Sequence, residues 1–560
     1  MKGLPSRFRH GAATFFERTQ EGVIQKRVVF FACGVGTSVP FTRRDRLNAL
    51  EYAGRTVGQN SVPKLGFLIY IELCPDGVFW FDYTEWYDQG SAYFGRFSPR
   101  GYRTGNSAVP VFDLTSGSVA RHLSRLTAPM FLGISSMIVA SMIDTVYIGW
   151  IGTVELAAVS FTFPLVMAVS SVSMGLAMGA TSIMSRIVGG GDRERCLLIG
   201  THTLILVLLL VVVISILGYV YAPVLFQWQG AGEEILPITV SYVRIWFVGL
   251  PLFAIPMVGG MMLRALGDAR TPGIIMTLSA ILQVLIAPPL IFGVADINGL
   301  GVNGSAWAFI VSRAALSLYA LVVFHRFGLF GHPGSVKQML GSWVEVLRIG
   351  VPSMASSLIG PVSMSVLMAL LAVHGHAIVA AFGIATRIES LATMVLMALS
   401  SSIGPFVGQN YGARQTERIR KALSLSYRFS MVWGLFACAV LAAFGNLLVG
   451  AMVDDVDVIE AAVHFMLIVP ITFGFFGVTM MATSYFVALG QPMPSFVISM
   501  LRMVVVQIPL AVVFDFFFGY RGVFAAIAVS NVLVGLLGYV WARRELNRDV
   551  RAGYPLSASS

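Results

Sequence analysis

Apolar residues run along this chain in long unbroken stretches, separated by short polar connections, from about Leu126 to near the carboxy-terminal end. Twelve such stretches fall at 126–149, 156–184, 197–222, 237–262, 273–294, 302–325, 344–373, 378–406, 422–448, 460–486, 495–518 and 522–542. At 1.5 Å per helical residue, roughly 20 residues cross a hydrocarbon layer of about 30 Å, so each stretch is long enough to span a bilayer. A membrane β-barrel would show alternating segments of about ten residues, whereas continuous runs satisfy their backbone polar groups as helices. The pattern predicts an all-α integral membrane protein with twelve transmembrane helices.

The runs repeat. Pro129 to Glu155 reads PMFLGISSMIVASMIDTVYIGWIGTVE, and its layout returns from Pro352, 223 positions on. The same offset relates Ala157-Ala158 to Ala380-Ala381, Gly189 to Gly412, Glu194-Arg195 to Glu417-Arg418 and Leu266-Gly267 to Leu489-Gly490. Six spans per unit is an even number, so both units enter the membrane from the same side. They form two parallel six-helix lobes about a pseudo-two-fold axis along the membrane normal. The expected divisions are a first lobe at 113–336 and a second at 337–548, the latter opening with a cytoplasmic linker helix at 337–348, then a tail at 549–560.

Composition agrees with a membrane protein: 56% hydrophobic and 12% charged residues, with mean hydropathy +0.78. The net charge of +10 gives no nucleic-acid footprint, because the cations are spread over the loops instead of gathered on one face. Arg186, Arg193 and Arg195, then Arg264 and Arg270, Arg326 and Lys337, and Arg414, Arg418, Arg420 and Lys421 follow the even-numbered spans. The alternate loops carry Glu233, Glu234, Asp296, Asp454, Asp455 and Asp457, with Arg521 their one cation. The positive-inside bias places both termini in the cytoplasm. The four cysteines, Cys33, Cys74, Cys196 and Cys438, have neither metal-like spacing nor a disulfide framework.

Residues 1–112 stand outside the pattern. They are mixed and aromatic-rich and lack a convincing signal-peptide core, and they read as a disordered extension or as a start assigned too early. Gly299, Gly301 and Gly304 in GLGVNG match the spacing of a dinucleotide fingerprint but follow an apolar helix, not a strand, and no GxxxxGK[ST] occurs. ATP therefore supplies no work here, and an ion gradient must. Gly175 and Gly179 form a GxxxG that suits close helix packing. His374 and His376 form an HxH with no third ligand evident, so no metal and no cofactor is expected.

Ionisable residues inside the spans carry the chemistry. Asp144 lies about 22 Å along a helix from Pro129, and its repeat counterpart is Leu367. A carboxylate at that depth costs several kcal/mol unless it faces a cavity, finds a cation or takes up a proton. One unduplicated carboxylate in a duplicated membrane unit marks a proton-coupling residue, with an interfacial side chain as the bland alternative. Arg387 and Glu389 sit near the middle of span eight where the first lobe has Pro164 and Val166, and being two apart they cannot pair within the helix. Arg387 either positions substrate or locks helices. Arg313 in span six is a further possible partner for Asp144.

The runs DLTSGSVARHLSRLTAPM, MIDTVYIGWIGTVELAAVS, GLPLFAIPMVGGMMLRALGDARTP and FVGQNYGARQTERIRKAL resemble the multidrug and toxic compound extrusion (MATE) transporters over about 113–548. The resemblance implies two lobes around a V-shaped cleft, alternating access, and sodium- or proton-driven export of organic cations and other amphipathic compounds. Asp144 matches the membrane carboxylate of the first lobe. Span five of many prokaryotic members resembles N-x-x-x-D-P. Here the segment is Gln283, Val284, Leu285, Ile286, Ala287, Pro288, and a threonine often found in span six is Phe309. Hard cations need several oxygen ligands, so these departures disfavour sodium. Gly360 stands where the NorM-like branch carries a glutamate, which points to the DinF-like branch.

The expectation is therefore a proton-coupled antiporter and not an enzyme. It is a multi-pass monomer of the inner membrane whose partners are amphipathic small molecules and the lipid bilayer. Asp144 carries the proton, and Gln283, Arg313, Arg387 and Glu389 are the residues of the cleft or its charge pairs. A sodium-coupled multidrug exporter and a flippase for lipid-linked saccharides are the alternatives.

Overall fold

The computed structural model describes residues 112–551 apart from 231, 295–296 and 327–333. The expectations for 1–111 lie outside the described residues. The first lobe comprises α1 (Val119–Ile151), α2 (Thr153–Gly190), α3 (Arg193–Trp228), α4 (Ile235–Ala265), α5 (Arg270–Phe292) and α6 (Val302–Arg326). A small antiparallel hairpin, β1 (Gly293–Val294) and β2 (Ile297–Asn298), joins α5 to α6. The second lobe comprises α7 (Val336–Ala372), α8 (His376–Gly412), α9 (Thr416–Gly450), α10 (Val456–Ile468), α11 (Phe473–Ala488), α12 (Pro492–Met500), α13 (Ile508–Phe518) and α14 (Tyr520–Arg551). A 3-10 turn at Pro470–Thr472 joins α10 to α11, and a π-helical turn at Leu501–Gln507 joins α12 to α13. Each of these pairs makes one span, so twelve spans result.

Helix ends follow local chemistry. Asp192 caps α3 by accepting from Arg195 N, after Gly191 has ended α2 in the left-handed region at φ 84°. The repeat preserves this stop: Arg414, the counterpart of Gly191, keeps φ 59° without being glycine. The linker helix at 337–348 is continuous with span seven. It forms the first turns of α7, which Ser335 and Gln338 start with a reciprocal capping box, so linker and span seven are one rod. Trp343 Nε1 on that rod donates to the His202 carbonyl on α3 at 2.9 Å.

The lobes meet at the ends that carry the basic loops. Gly179 lets α2 cross α7 closely, since a Cβ there would stand 2.9 Å from Gly350 N and from the Val346 carbonyl. Ser182 Oγ donates to the Val487 carbonyl, and Thr127 Oγ1 donates to Ser402 Oγ at 3.1 Å. Gln409 on α8 ties three segments together. Its Oε1 accepts from Leu114 N at 3.2 Å, and its Nε2 donates to the Ala265 carbonyl at 2.8 Å. Arg418 then clamps residues 114–117 through the Leu114, Ser116 and Gly117 carbonyls. The segment before α1 is thereby stitched to both lobes, which are joined on the basic-loop side.

Candidate ion-coupling site and buried charges

Asp144 is half-buried on α1, nearer the acidic-loop end, and its two carboxylate oxygens each lie 2.9 Å from Ser305 Oγ on α6. Ser305 is the fourth residue of α6, and Tyr242 of α4, 8% exposed, turns its hydroxyl toward Ser305 within range of the Asp144 charge. Asn303 Nδ2 donates to Ser241 Oγ at 3.0 Å just above, so α1, α4 and α6 are pinned at one level. Asp144 thus faces neutral hydroxyls inside the first lobe. Among the described residues no lysine or arginine pairs with it.

Arg313 does not pair with Asp144, contrary to the sequence reading. It lies eight residues beyond Ser305, roughly 12 Å deeper along α6. There its side chain, 6% exposed, donates to Ser279 Oγ and lies 4.7 Å from the Phe309 ring and 5.8 Å from the Phe253 ring. Gln283 is buried on α5 one turn from buried Ala287. The two positions that lack family oxygens are therefore filled by carbon, and a guanidinium rests on the Phe309 face. Coulomb repulsion from that guanidinium disfavours a second cation beside it.

In the second lobe Arg387 and Glu389 point to different sides of α8, as two-residue spacing requires. Arg387 is exposed and makes no hydrogen bond among the described residues, whereas Glu389 is half-buried and faces Arg502. Arg502 was missed in the sequence, although a lone arginine inside an apolar run is the same signal that singled out Arg313. Its Nη1 donates to Asn531 Oδ1 at 3.2 Å, and its guanidinium lies 5.0 Å from the Phe476 ring. Asn531 Nδ2 in turn donates to Thr472 Oγ1 at 3.2 Å.

The π-helical turn explains how Arg502 is accommodated. One extra residue there moves the repeat offset from 223 to 224, so buried Gln283 and Ala287 match buried Gln507 and Ala511. Carbonyls freed by the turn find side chains: Ser363 Oγ donates to the Met503 carbonyl at 3.3 Å and Ser530 Oγ to the Arg502 carbonyl at 2.6 Å.

Outside the spans, Asp113 anchors the segment before α1. Burial alone would push its carboxyl up, but hydrogen bonds from Thr115 N, Thr115 Oγ1 and Ser116 Oγ outweigh this and hold it below the ordinary carboxylate range. His374 Nε2 lies 2.6 Å from Asp515 Oδ1, so the HxH histidine is engaged within the second lobe.

The MatE family profile matches residues 129–288 and 307–513. The FAD transporter of Shewanella oneidensis is 36% identical over 434 residues, covering 77% of this chain and 96% of that protein. The probable multidrug resistance protein YoeA of Bacillus subtilis is 23% identical over 450 residues, covering 78% and 96%. Among solved structures, a point mutant of the Vibrio cholerae MATE transporter VcmN superposes with TM-score 0.74 at 26% identity, covering 77% of this chain and 97% of that one. Two lobes of six spans and these likenesses agree: the chain belongs to the MatE family of membrane transporters.

Proposed function

We propose that the protein exports amphipathic compounds in exchange for protons, with Asp144 holding the proton in one orientation of the lobes and releasing it in the other. The observation that carries this reading is the surroundings of Asp144, where Ser305 donates to the carboxylate, the Tyr242 hydroxyl lies nearby and, among the described residues, no lysine or arginine pairs with it. Two hydroxyls and one carboxylate fall short of the six or more oxygens that hard cations collect, whereas a proton needs only the carboxylate. A sodium cycle is the weaker alternative because carbon occupies Ala287 and Phe309.

For the cargo, the 36% identity to the Shewanella FAD transporter favours a flavin dinucleotide over the drugs named for relatives at 23%. FAD is amphipathic, with an apolar ring and an anionic pyrophosphate. Arg387, exposed and unpaired on α8 among the described residues, supplies a cation that such a group would meet. An organic cation would gain nothing from it. A lipid-linked saccharide, which also carries pyrophosphate, is the competing cargo.

The basic loops favour a cytoplasmic position for both termini and a cleft open to the outside, in the cytoplasmic membrane, and the proposed working unit is a monomer. Reconstitution into proteoliposomes tests the reading. FAD and ethidium uptake are measured under a proton gradient or a sodium gradient imposed separately. Proton-driven FAD movement is expected, and transport driven by sodium alone would overturn the coupling assignment.

A further inference from the structure

Arg244 is a cation inside a membrane span with no carboxylate partner among the described residues, and its repeat counterpart is Leu467. Its Nε donates to the Tyr219 carbonyl on α3 at 3.2 Å, and its guanidinium lies 5.1 Å from the Tyr219 ring. Both Nη atoms are left to find other acceptors. They border a groove of about 550 Å³ between α3, α4 and α6, lined by Tyr219, Ser241, Arg244, Val248 and Trp307 among others.

The groove opens to the bilayer and not to the cleft. Lobe-to-lobe packing runs through α1, α2, α7 and α8, whereas Val248, Trp307, Val311 and Leu318 belong to the exposed apolar flank of α4 and α6. Its depth follows from Ser241, which contacts Asn303 at the mouth of α6. Arg244 is three residues further in, about 4.5 Å. Exposed Trp150, Tyr219, Tyr221 and Trp307 flank the acidic-loop end, where aromatic side chains mark the headgroup zone.

We propose that this groove binds the phosphate of a diacyl phospholipid from the acidic-loop leaflet, with Arg244 as its counter-charge and the apolar flank of α4 and α6 holding an acyl chain. A guanidinium at headgroup depth stands at the level of the lipid phosphates, and the fork of Nη donors matches phosphate oxygens. This site is separate from Asp144 and from the cleft.

Native mass spectrometry of the purified full chain tests the proposal with three probes: phosphatidylglycerol, diacylglycerol with the same chains, and glycerol 3-phosphate. The wild type should retain one phosphatidylglycerol about tenfold more tightly than diacylglycerol, about 1.4 kcal/mol. Arg244→Gln should abolish that difference, and Val248→Trp, which leaves the arginine in place but fills the groove, should displace the lipid. Unchanged phosphatidylglycerol retention in either variant, or glycerol 3-phosphate binding as tightly as the lipid, would overturn the site. Gel filtration confirms that each variant is folded, and if Arg244→Gln is not, Val248→Trp alone decides.

Discussion

Arg313 and Arg502 occupy opposite members of one repeated helix pair. In the first lobe Arg313 on α6 donates to Ser279 on α5, and in the second Arg502, at the Ser279 position of the repeat, donates to Asn531, at the Arg313 position. The shared Ser312-Arg313 and Ser530-Asn531 steps set this alignment, as do Gly301 and Gly519, which hold φ 57° and 59° before the last span of each lobe. Each lobe thus keeps one buried guanidinium between its last two spans, on alternate helices. Among the described residues only the second lobe sets a carboxylate, Glu389, against it.

That asymmetry predicts a double-mutant cycle. Arg502→Leu alone leaves Glu389 without its counter-charge and should destabilise the protein by about 3–5 kcal/mol, whereas adding Glu389→Gln should recover most of the loss. Thermal unfolding in detergent reads the difference. Strictly additive effects would mean the two groups do not interact.

At the proposed coupling site, Ser305→Ala removes a hydroxyl that contacts Asp144 and should lower transport roughly fivefold, corresponding to about 1 kcal/mol for one hydrogen bond. The protein should still insert and fold. Initial rates in vesicles at a fixed proton gradient check this, and a rate equal to wild type would remove Ser305 from the site.

The seal on the basic-loop side should depend on Gln409 and on the small residue at 179. Gln409→Leu strips partners from Leu114 N and the Ala265 carbonyl, and Gly179→Val drives a side chain into α7. Both variants should shift the lobes toward opening on that side. A cysteine introduced at Leu114 should then label several-fold faster with a membrane-impermeant maleimide added on that side.

Acid should loosen the same latch in a defined window. Because the folded carboxyl of Asp113 lies below its ordinary value of about 3.9, its contribution is complete above that pH and fades as pH falls through the folded value. Hydrogen exchange at 112–118, corrected for intrinsic rate, should be equally protected at about pH 5 and 7 and lose protection only below about pH 4. Asp113→Ala should lose it at every pH.

Much of the fold is legible in the residues because bilayer thickness and backbone hydrogen bonding leave long apolar runs few options. The twelve spans follow from those two constraints, and the duplication is read from the 223-residue repeat. Asp144 stands out by the same logic, since a single acid amid MIVASMIDTVYIG has to face the protein interior. Its partners are less visible: Ser305 and Tyr242 come from helices 161 and 98 residues away, and hydroxyls are common in spans. The Asp144 to Arg313 pairing failed on depth, because opposite charge alone does not say how far along α6 an arginine sits. Arg502 escaped notice because its partner Glu389 lies on a distant helix and its backbone sits in a π turn that sequence periodicity does not reveal.

Proton flux across the membrane shows whether Asp144 carries the proton that substrate export is proposed to exchange. Proteoliposomes enclosing a pH-sensitive dye are given FAD on the loading side, and the initial change in internal pH is compared for wild type and Asp144→Asn. Substrate-dependent proton movement should occur in the wild type and vanish in Asp144→Asn, which should still bind FAD. Proton movement at the wild-type rate in Asp144→Asn would mean that another group carries the proton.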